Sequence, residues 1–354
     1  VVTKQVLGLC LGLGCRMAEN GEFTQRAFLN GRIDLSQAEA TLDMIEAPSV
    51  QASELAAKGI GGSVKKLIEP LMVHIMDIIA HIETNIDYPE YTDVDELTSE
   101  EVLPRAIEFK TKVLEILEQA KTGQIIREGL KTVILGRPNV GKSSLLNALL
   151  EEEKAIVTDI AGTTRDLVEG WVRLKNVTLH LIDTAGLRET SDVVEKIGID
   201  RSKKAMNEAE LVIVLLDGSE SLNHEDQWLL DETLNMNRIV VTNKSDAGFV
   251  YENTIGISAL HGDISGLVDE INRRYENAVI LTQQPLLSNQ RQIGLMNQAY
   301  FSIERVIEGI EMGLELDLIN LDLTACYKQL ASILIPVDEV DVMSEIFSRF
   351  CLGK

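Results

Sequence analysis

Gly136-Arg137-Pro138-Asn139-Val140-Gly141-Lys142-Ser143 stands between an apolar, strand-like run at 132–135 and a helix-forming run at 144–150. A strand, a G-x-x-x-x-G-K-S turn and a helix in that order are the phosphate-binding P-loop in its required context. The two glycines let the backbone curl so that successive N–H groups face phosphate oxygens, and the helix that follows adds its positive end. Asn139, Val140, Gly141, Lys142, Ser143 and Ser144 are therefore expected to line the phosphates. Lys142 is expected at the β- and γ-phosphates, and the Ser143 hydroxyl on Mg2+.

Three further motifs follow. A strand-like run at 177–182 ends in Asp183-Thr184-Ala185-Gly186, a D-x-x-G that sets Asp183 near the metal and the Gly186 amide near a γ-phosphate. A second strand-like run, 238–241, ends in Asn243-Lys244-Ser245-Asp246. A carboxylate at Asp246 accepts from both N1–H and N2–H2 of guanine, whereas adenine has no such donor pair. Discrimination of that kind reaches ~10^4-fold, so the nucleotide is expected to be GTP rather than ATP. Ser258-Ala259-Leu260, after a run at 254–257, is expected to support the base from the far side. Order and spacing over 128–282 resemble the translation-factor-related GTPases.

At 354 residues the chain has room for two or three domains. It begins with Val1 and is expected to be N-terminally truncated. No apolar run approaches the ~20 residues that cross a bilayer, so a cytoplasmic protein without membrane attachment is expected. The formal net charge of −23 opposes autonomous binding of a polyanion. Gly59-Ile60-Gly61-Gly62 before Lys65-Lys66 has the form of a G-x-x-G RNA-binding loop, but no matching strand order surrounds it. A glycine-broken helix is the better reading. Cys10, Cys15, Cys326 and Cys351 form no C-x-x-C pair, which leaves a zinc site without support. The first three are expected to be small buried hydrophobes.

Outside the GTPase motifs the pattern is helical, with apolar residues at helical spacing over 35–45, 64–86 and 102–119, then 289–309, 314–332 and 337–347. The expected fold is an α/β P-loop GTPase domain, mostly parallel sheet with helices on both faces, inserted into an all-α domain. The divisions are placed at 1–28, 29–127, 128–282 and 283–354.

Three segments narrow the resemblance. Gly21-Glu22-Phe23-Thr24-Gln25-Arg26-Ala27-Phe28-Leu29-Asn30-Gly31-Arg32 with Asp34-Leu35-Ser36-Gln37-Ala38-Glu39-Ala40 is similar to the junction of folate-binding and helical domains in the MnmE (TrmE) family of bacterial tRNA modification GTPases. Thr158-Asp159-Ile160-Ala161-Gly162-Thr163-Thr164-Arg165-Asp166 resembles that family's switch I, and Phe350-Cys351-Leu352-Gly353-Lys354 its C-terminal tail. Only 1–28 corresponds to the family's folate-binding and dimerising N-terminal domain.

The resemblance implies site roles. Leu187 stands where Ras-like proteins place a water-orienting glutamine, so Glu195 in switch II is implied to hold the attacking water. Asn139 with Thr158, Ile160 and Thr163 is implied to hold K+ beside the phosphates, and Thr164 to join Ser143 on Mg2+. Switch I residues Asp159, Ala161 and Gly162 are implied to close over the nucleotide when two GTPase domains of a homodimer pair. Arg165 is a rival cation. Arg32 and Lys354 are implied contacts for formyl- or methylene-tetrahydrofolate, with Cys351 a candidate thiol in the chemistry.

The implied task is adding a carboxymethylaminomethyl or aminomethyl group at C5 of the wobble uridine of certain tRNAs. It would be done in a heterotetramer with an FAD-dependent MnmG-type protein, which holds most of the tRNA. The competing reading is an Era- or Der-like ribosome-assembly switch. That reading needs an RNA-binding appendage after the GTPase segment, where this chain is acidic and helical.

Overall fold

The computed structural model describes residues 2–87, 99–151, 170–182, 206–276 and 284–335. In chain order its elements begin with α1 (Val2–Gly12), α2 (Glu22–Leu29), α3 (Leu35–Glu46), α4 (Val50–Ile60), α5 (Ser63–Asp87) and α6 (Ser99–Glu128). Next come β1 (Leu130–Leu135), α7 (Lys142–Glu151), β2 (Gly170–Arg173), β3 (Thr178–Leu181), β4 (Leu211–Asp217), α8 (His224–Glu232), β5 (Arg238–Asn243), β6 (Ile255–Gly256) and α9 (Ser265–Arg274). The last two are α10 (Gln290–Glu311) and α11 (Leu316–Leu334). The chain divides into a helical unit (Val1–Ala47, Ser53–Lys121, Pro285–Lys354) and an α/β unit (Pro48–Ala52, Thr122–Gln284).

In the helical unit, Val64, Ile68, Leu71, Ile75, Ile78 and Ile82 recur every three to four residues on α5 and are buried. They share one core with Val102, Ala106, Phe109 and Val113 of α6, Met296, Ala299 and Ile303 of α10, and Leu323, Cys326 and Leu330 of α11. Each Ile, Leu, Val, Phe or Met among them, fully buried, contributes ~1.5–3 kcal/mol of transfer free energy. The two halves of the helical sequence thus form one core, although the α/β segment separates them along the chain. An ion pair crosses the same join: Arg291 of α10 donates to Glu39 of α3 at 2.6 and 2.9 Å, and to the Ser332 and Ile333 carbonyls. Gln292 adds a further bond to Glu39.

Asp34 caps α3 in a reciprocal box with Gln37. Between α4 and α5, Gly62 takes φ 79°, which ends one helix and starts the next. That is the glycine-broken helix read from the sequence.

The α/β unit is a six-stranded sheet in the order β2-β3-β1-β4-β5-β6, with β2–β3 antiparallel and the other pairs parallel. β4 alternates between two cores. Leu211, Ile213 and Leu215 face one, and Val212, Val214 and Leu216 the other, as a strand covered on both faces requires.

Cys10 and Cys15 correct the sequence reading, since both are exposed; among the described cysteines only Cys326 is buried. α1, which carries Cys10, buries none of its residues.

Candidate guanine-nucleotide site

Because β1, β4 and β5 run parallel, the segments leaving their C-terminal ends gather at one edge of the sheet, where open α/β folds bind ligands. β1 runs into Gly136, and a Cβ there would come within 2.6 Å of the Leu215 carbonyl oxygen. Gly141 has φ 103° and space for a hydrogen only, since a Cβ would sit 2.2 Å from Asn243 Nδ2. Asn139 is left-handed at φ 62°, a conformation that asparagine tolerates better than most side chains. Val140 is buried.

α7 then begins at Lys142, so its first-turn N–H groups and positive end face the loop. Ser143 and Ser144 stand in its first turn. Lys142 Nζ reaches back across the loop to the carbonyls of Gly136 (2.6 Å) and Arg137 (2.9 Å). Burial pushes its ammonium below the usual lysine range.

Asn243 connects the loops. Its Nδ2 donates to the Val140 carbonyl at 2.8 Å, and its Oδ1 accepts from Ala259 N–H at 2.9 Å. Lys244 has φ 60° and its ammonium bonds Asp217 at 2.6 Å. Asp246 accepts a 2.5 Å bond from the Ser258 hydroxyl, which holds its carboxyl below the usual range. Ala259 is buried and Leu260 exposed in the short 3-10 turn Ala259–His261.

Two residues here escaped the sequence reading. Asp217 ends β4, a strand not singled out from the sequence, although the unbroken apolar run at 211–216 before an Asp-Gly pair is its signal. Burial pushes its carboxyl up, but bonds from Lys244 and from both Ser219 donors outweigh this and hold it down at about 2. Arg137, inside the P-loop, bonds Glu220 at 2.8 Å and lies 3.5 Å from Asp217 and 3.9 Å from Asp226. Asp217 thus faces a cation from the loop after β1 and another from the segment after β5.

Thr158, Asp159, Ile160, Ala161, Gly162, Thr163, Thr164, Asp183, Thr184, Ala185, Gly186, Glu195, Cys351 and Lys354 lie outside the described residues, as do Arg165 and Leu187. Arg32 is described, and lines a cavity of about 570 Å3 with Arg16, Glu22, Phe23, Arg26 and Asn30. The Ser143 hydroxyl is the kind of hard oxygen that Mg2+ takes. Among the described residues no group of three or more His, Cys, Asp or Glu is placed to hold a metal. No helix among the described residues is long and apolar enough to cross a membrane.

A glycine-bent loop between β1 and α7, an Asn-Lys-Ser-Asp segment and a Ser-Ala-Leu turn, tied together by Asn243, mark a P-loop GTPase domain, here inserted within the sequence of a helical one. The MnmE helical domain family matches residues 35–351, and the family described as GTP-binding protein TrmE N-terminus matches residues 1–32. The chain belongs to the MnmE family. It is 48% identical to the tRNA modification GTPase MnmE of Streptococcus thermophilus and 47% identical to that of Streptococcus suis, in each case over all of this chain and 79% of the relative. Among solved structures, an Aquifex aeolicus Era variant bound to GDP and AlF4− is 25% identical (TM-score 0.30, 49% of this chain, 66% of that one). The G domain of Thermotoga maritima FeoB is 27% identical (TM-score 0.31, 42% and 98%). The family assignment does not depend on either.

Proposed function

We propose that this chain hydrolyses GTP in the service of tRNA modification, as a homodimer in the cytoplasm. Its partner would be an FAD-dependent MnmG-type protein in a heterotetramer, which adds a carboxymethylaminomethyl or aminomethyl group at C5 of the wobble uridine. Near-half identity to MnmE proteins over the full chain supports the GTPase and tRNA assignments. The observation that carries the nucleotide reading is the pair of hydrogen bonds made by Asn243, donated to the Val140 carbonyl and accepted from Ala259 N–H, which holds the loop after β1 and the turn at Ala259 in one frame.

In this reading Lys142 and the start of α7 hold the β- and γ-phosphates, and Asp246, steadied by Ser258, accepts from the guanine edge. Ser143 and Thr164 would hold Mg2+, which neutralises phosphate charge when bound. Asn139, Thr158, Ile160 and Thr163 would hold K+, with Asp159, Ala161 and Gly162 folding over it. Asp183, Thr184, Ala185 and Gly186 would face the metal and γ-phosphate, and Glu195 would orient the attacking water. Arg32 and Lys354 would contact the folate one-carbon donor, and Cys351 would lie beside it.

The test is GTP turnover in K+ and in Na+ at matched ionic strength. Faster hydrolysis in K+, with the difference erased in Asn139→Ala, supports the reading; equal wild-type rates remove the potassium part of it.

A further inference from the structure

His261 belongs to none of the nucleotide-binding motifs, yet it stands against the guanine-reading carboxylate. Its Nδ1 is 2.9 Å from Ser258 Oγ and 3.5 Å from Asp246 Oδ2. Its position is set by the backbone: His261 N–H donates to the Ser258 carbonyl at 3.1 Å, and Ser258 N–H to that of Asp263 at 2.9 Å. The Ala259 N–H between them is held by Asn243.

The proton count on these three side chains is decisive. An ionised Asp246 only accepts, so the single Ser258 hydroxyl proton goes to it across 2.5 Å. Ser258 Oγ then accepts, and His261 Nδ1 must carry the proton it receives. The bonds run one way, from imidazole to hydroxyl to carboxylate, and bonds so aligned polarise one another. Asp246 keeps 41% side-chain exposure, so packing alone does not fix its carboxylate plane, and a bidentate acceptor works only when that plane is set.

We propose that His261 is a positioning residue for guanine recognition, holding the Ser258 hydroxyl on Asp246 and so orienting the carboxylate toward the base. The inference rests on the proposed role of Asp246 as the guanine acceptor. The His261 side chain is itself 63% exposed, so its removal opens no core cavity.

The experiment titrates GDP and inosine diphosphate, which keeps N1–H and lacks the 2-amino group, into the wild-type chain and into His261→Ala and His261→Asn. His261→Ala weakens GDP about 3- to 10-fold, the range of one net hydrogen bond, and weakens inosine diphosphate less, so the preference for GDP falls. His261→Asn, whose amide can donate where Nδ1 does, restores it. Ser258→Ala gives the same loss, and His261→Ala adds nothing to it.

An unchanged GDP preference in His261→Ala overturns the inference, as does His261→Asn behaving like the alanine variant or an additive double variant. These outcomes leave the role of Asp246 standing. A wild-type chain with no preference for GDP over inosine diphosphate removes that role, and this inference with it.

Discussion

Asn243 Nδ2 donates to the Val140 carbonyl across 103 residues of sequence, so the end of β5 closes the phosphate loop that begins at the end of β1. Because Asn243 Oδ1 also accepts from Ala259 N–H, Asn243→Ala leaves a buried acceptor and a buried donor unpaired. Each such loss costs about 1–3 kcal/mol. Chemical denaturation of the α/β unit is expected to show a loss of about 2–4 kcal/mol, with weakened GDP binding by calorimetry. Retained stability and affinity would mean that the loops hold their places without it.

Asp217 gives a pH signature. Its folded-state carboxyl is depressed from the ordinary 3.8 to about 2, so its stabilisation is complete above the ordinary value and is lost as pH falls toward the depressed one. At ~1.4 kcal/mol for each tenfold change in proton affinity, wild type exceeds Asp217→Asn by about 2 kcal/mol at neutral pH. Urea denaturation between about pH 5 and about pH 2.5 is expected to show that gap closing on acidification. A gap independent of pH would contradict the account.

The Arg291–Glu39 pair joins the two sequence halves of the helical unit. Glu39 is 5% exposed and Arg291 22%. Removing one partner of a buried pair costs ~3–5 kcal/mol, and the partial exposure of Arg291 favours the lower end. Glu39→Gln and Arg291→Met are each expected to lower the unfolding free energy by about 3 kcal/mol. The double variant is expected to cost less than the sum, because neither charge is left stranded.

Thiol reactivity separates the described cysteines. Burial pushes the Cys326 thiol up to about 12, whereas Cys10 and Cys15 are exposed. Alkylation followed by peptide mass spectrometry is expected to label Cys10 and Cys15 in the native protein and Cys326 only after denaturation.

What the sequence made legible follows from how local the chemistry is. Gly141, Lys142, Asn243, Asp246 and Ser258 announce themselves because phosphate and guanine dictate residue types within a few positions, and the strand before Gly136 supplies the context. Helical periodicity likewise revealed α5 and α10. The relationships that escaped are those between distant residues of ordinary type. Asp217 looks like any strand-ending aspartate until Lys244 and Arg137 are seen around it. Glu39 reads as one more helix charge until Arg291 arrives from 252 residues away. β2, Gly170–Arg173, offers only two adjacent apolar side chains, Trp171 and Val172, so no apolar alternation declares it. Cys10 and Cys15 misled because a free cysteine is by default a small buried hydrophobe, whereas both are exposed here.

The central claim, that Asp246 reads guanine above a working phosphate loop, is met most directly by calorimetric titration of GDP and xanthosine diphosphate into wild type and Asp246→Asn. Xanthine has a carbonyl where guanine has its 2-amino group, so an asparagine amide can donate to it while the aspartate cannot. Wild type is expected to bind GDP and reject xanthosine diphosphate, and the variant to reverse that order. GDP binding equally well to both proteins would contradict the account.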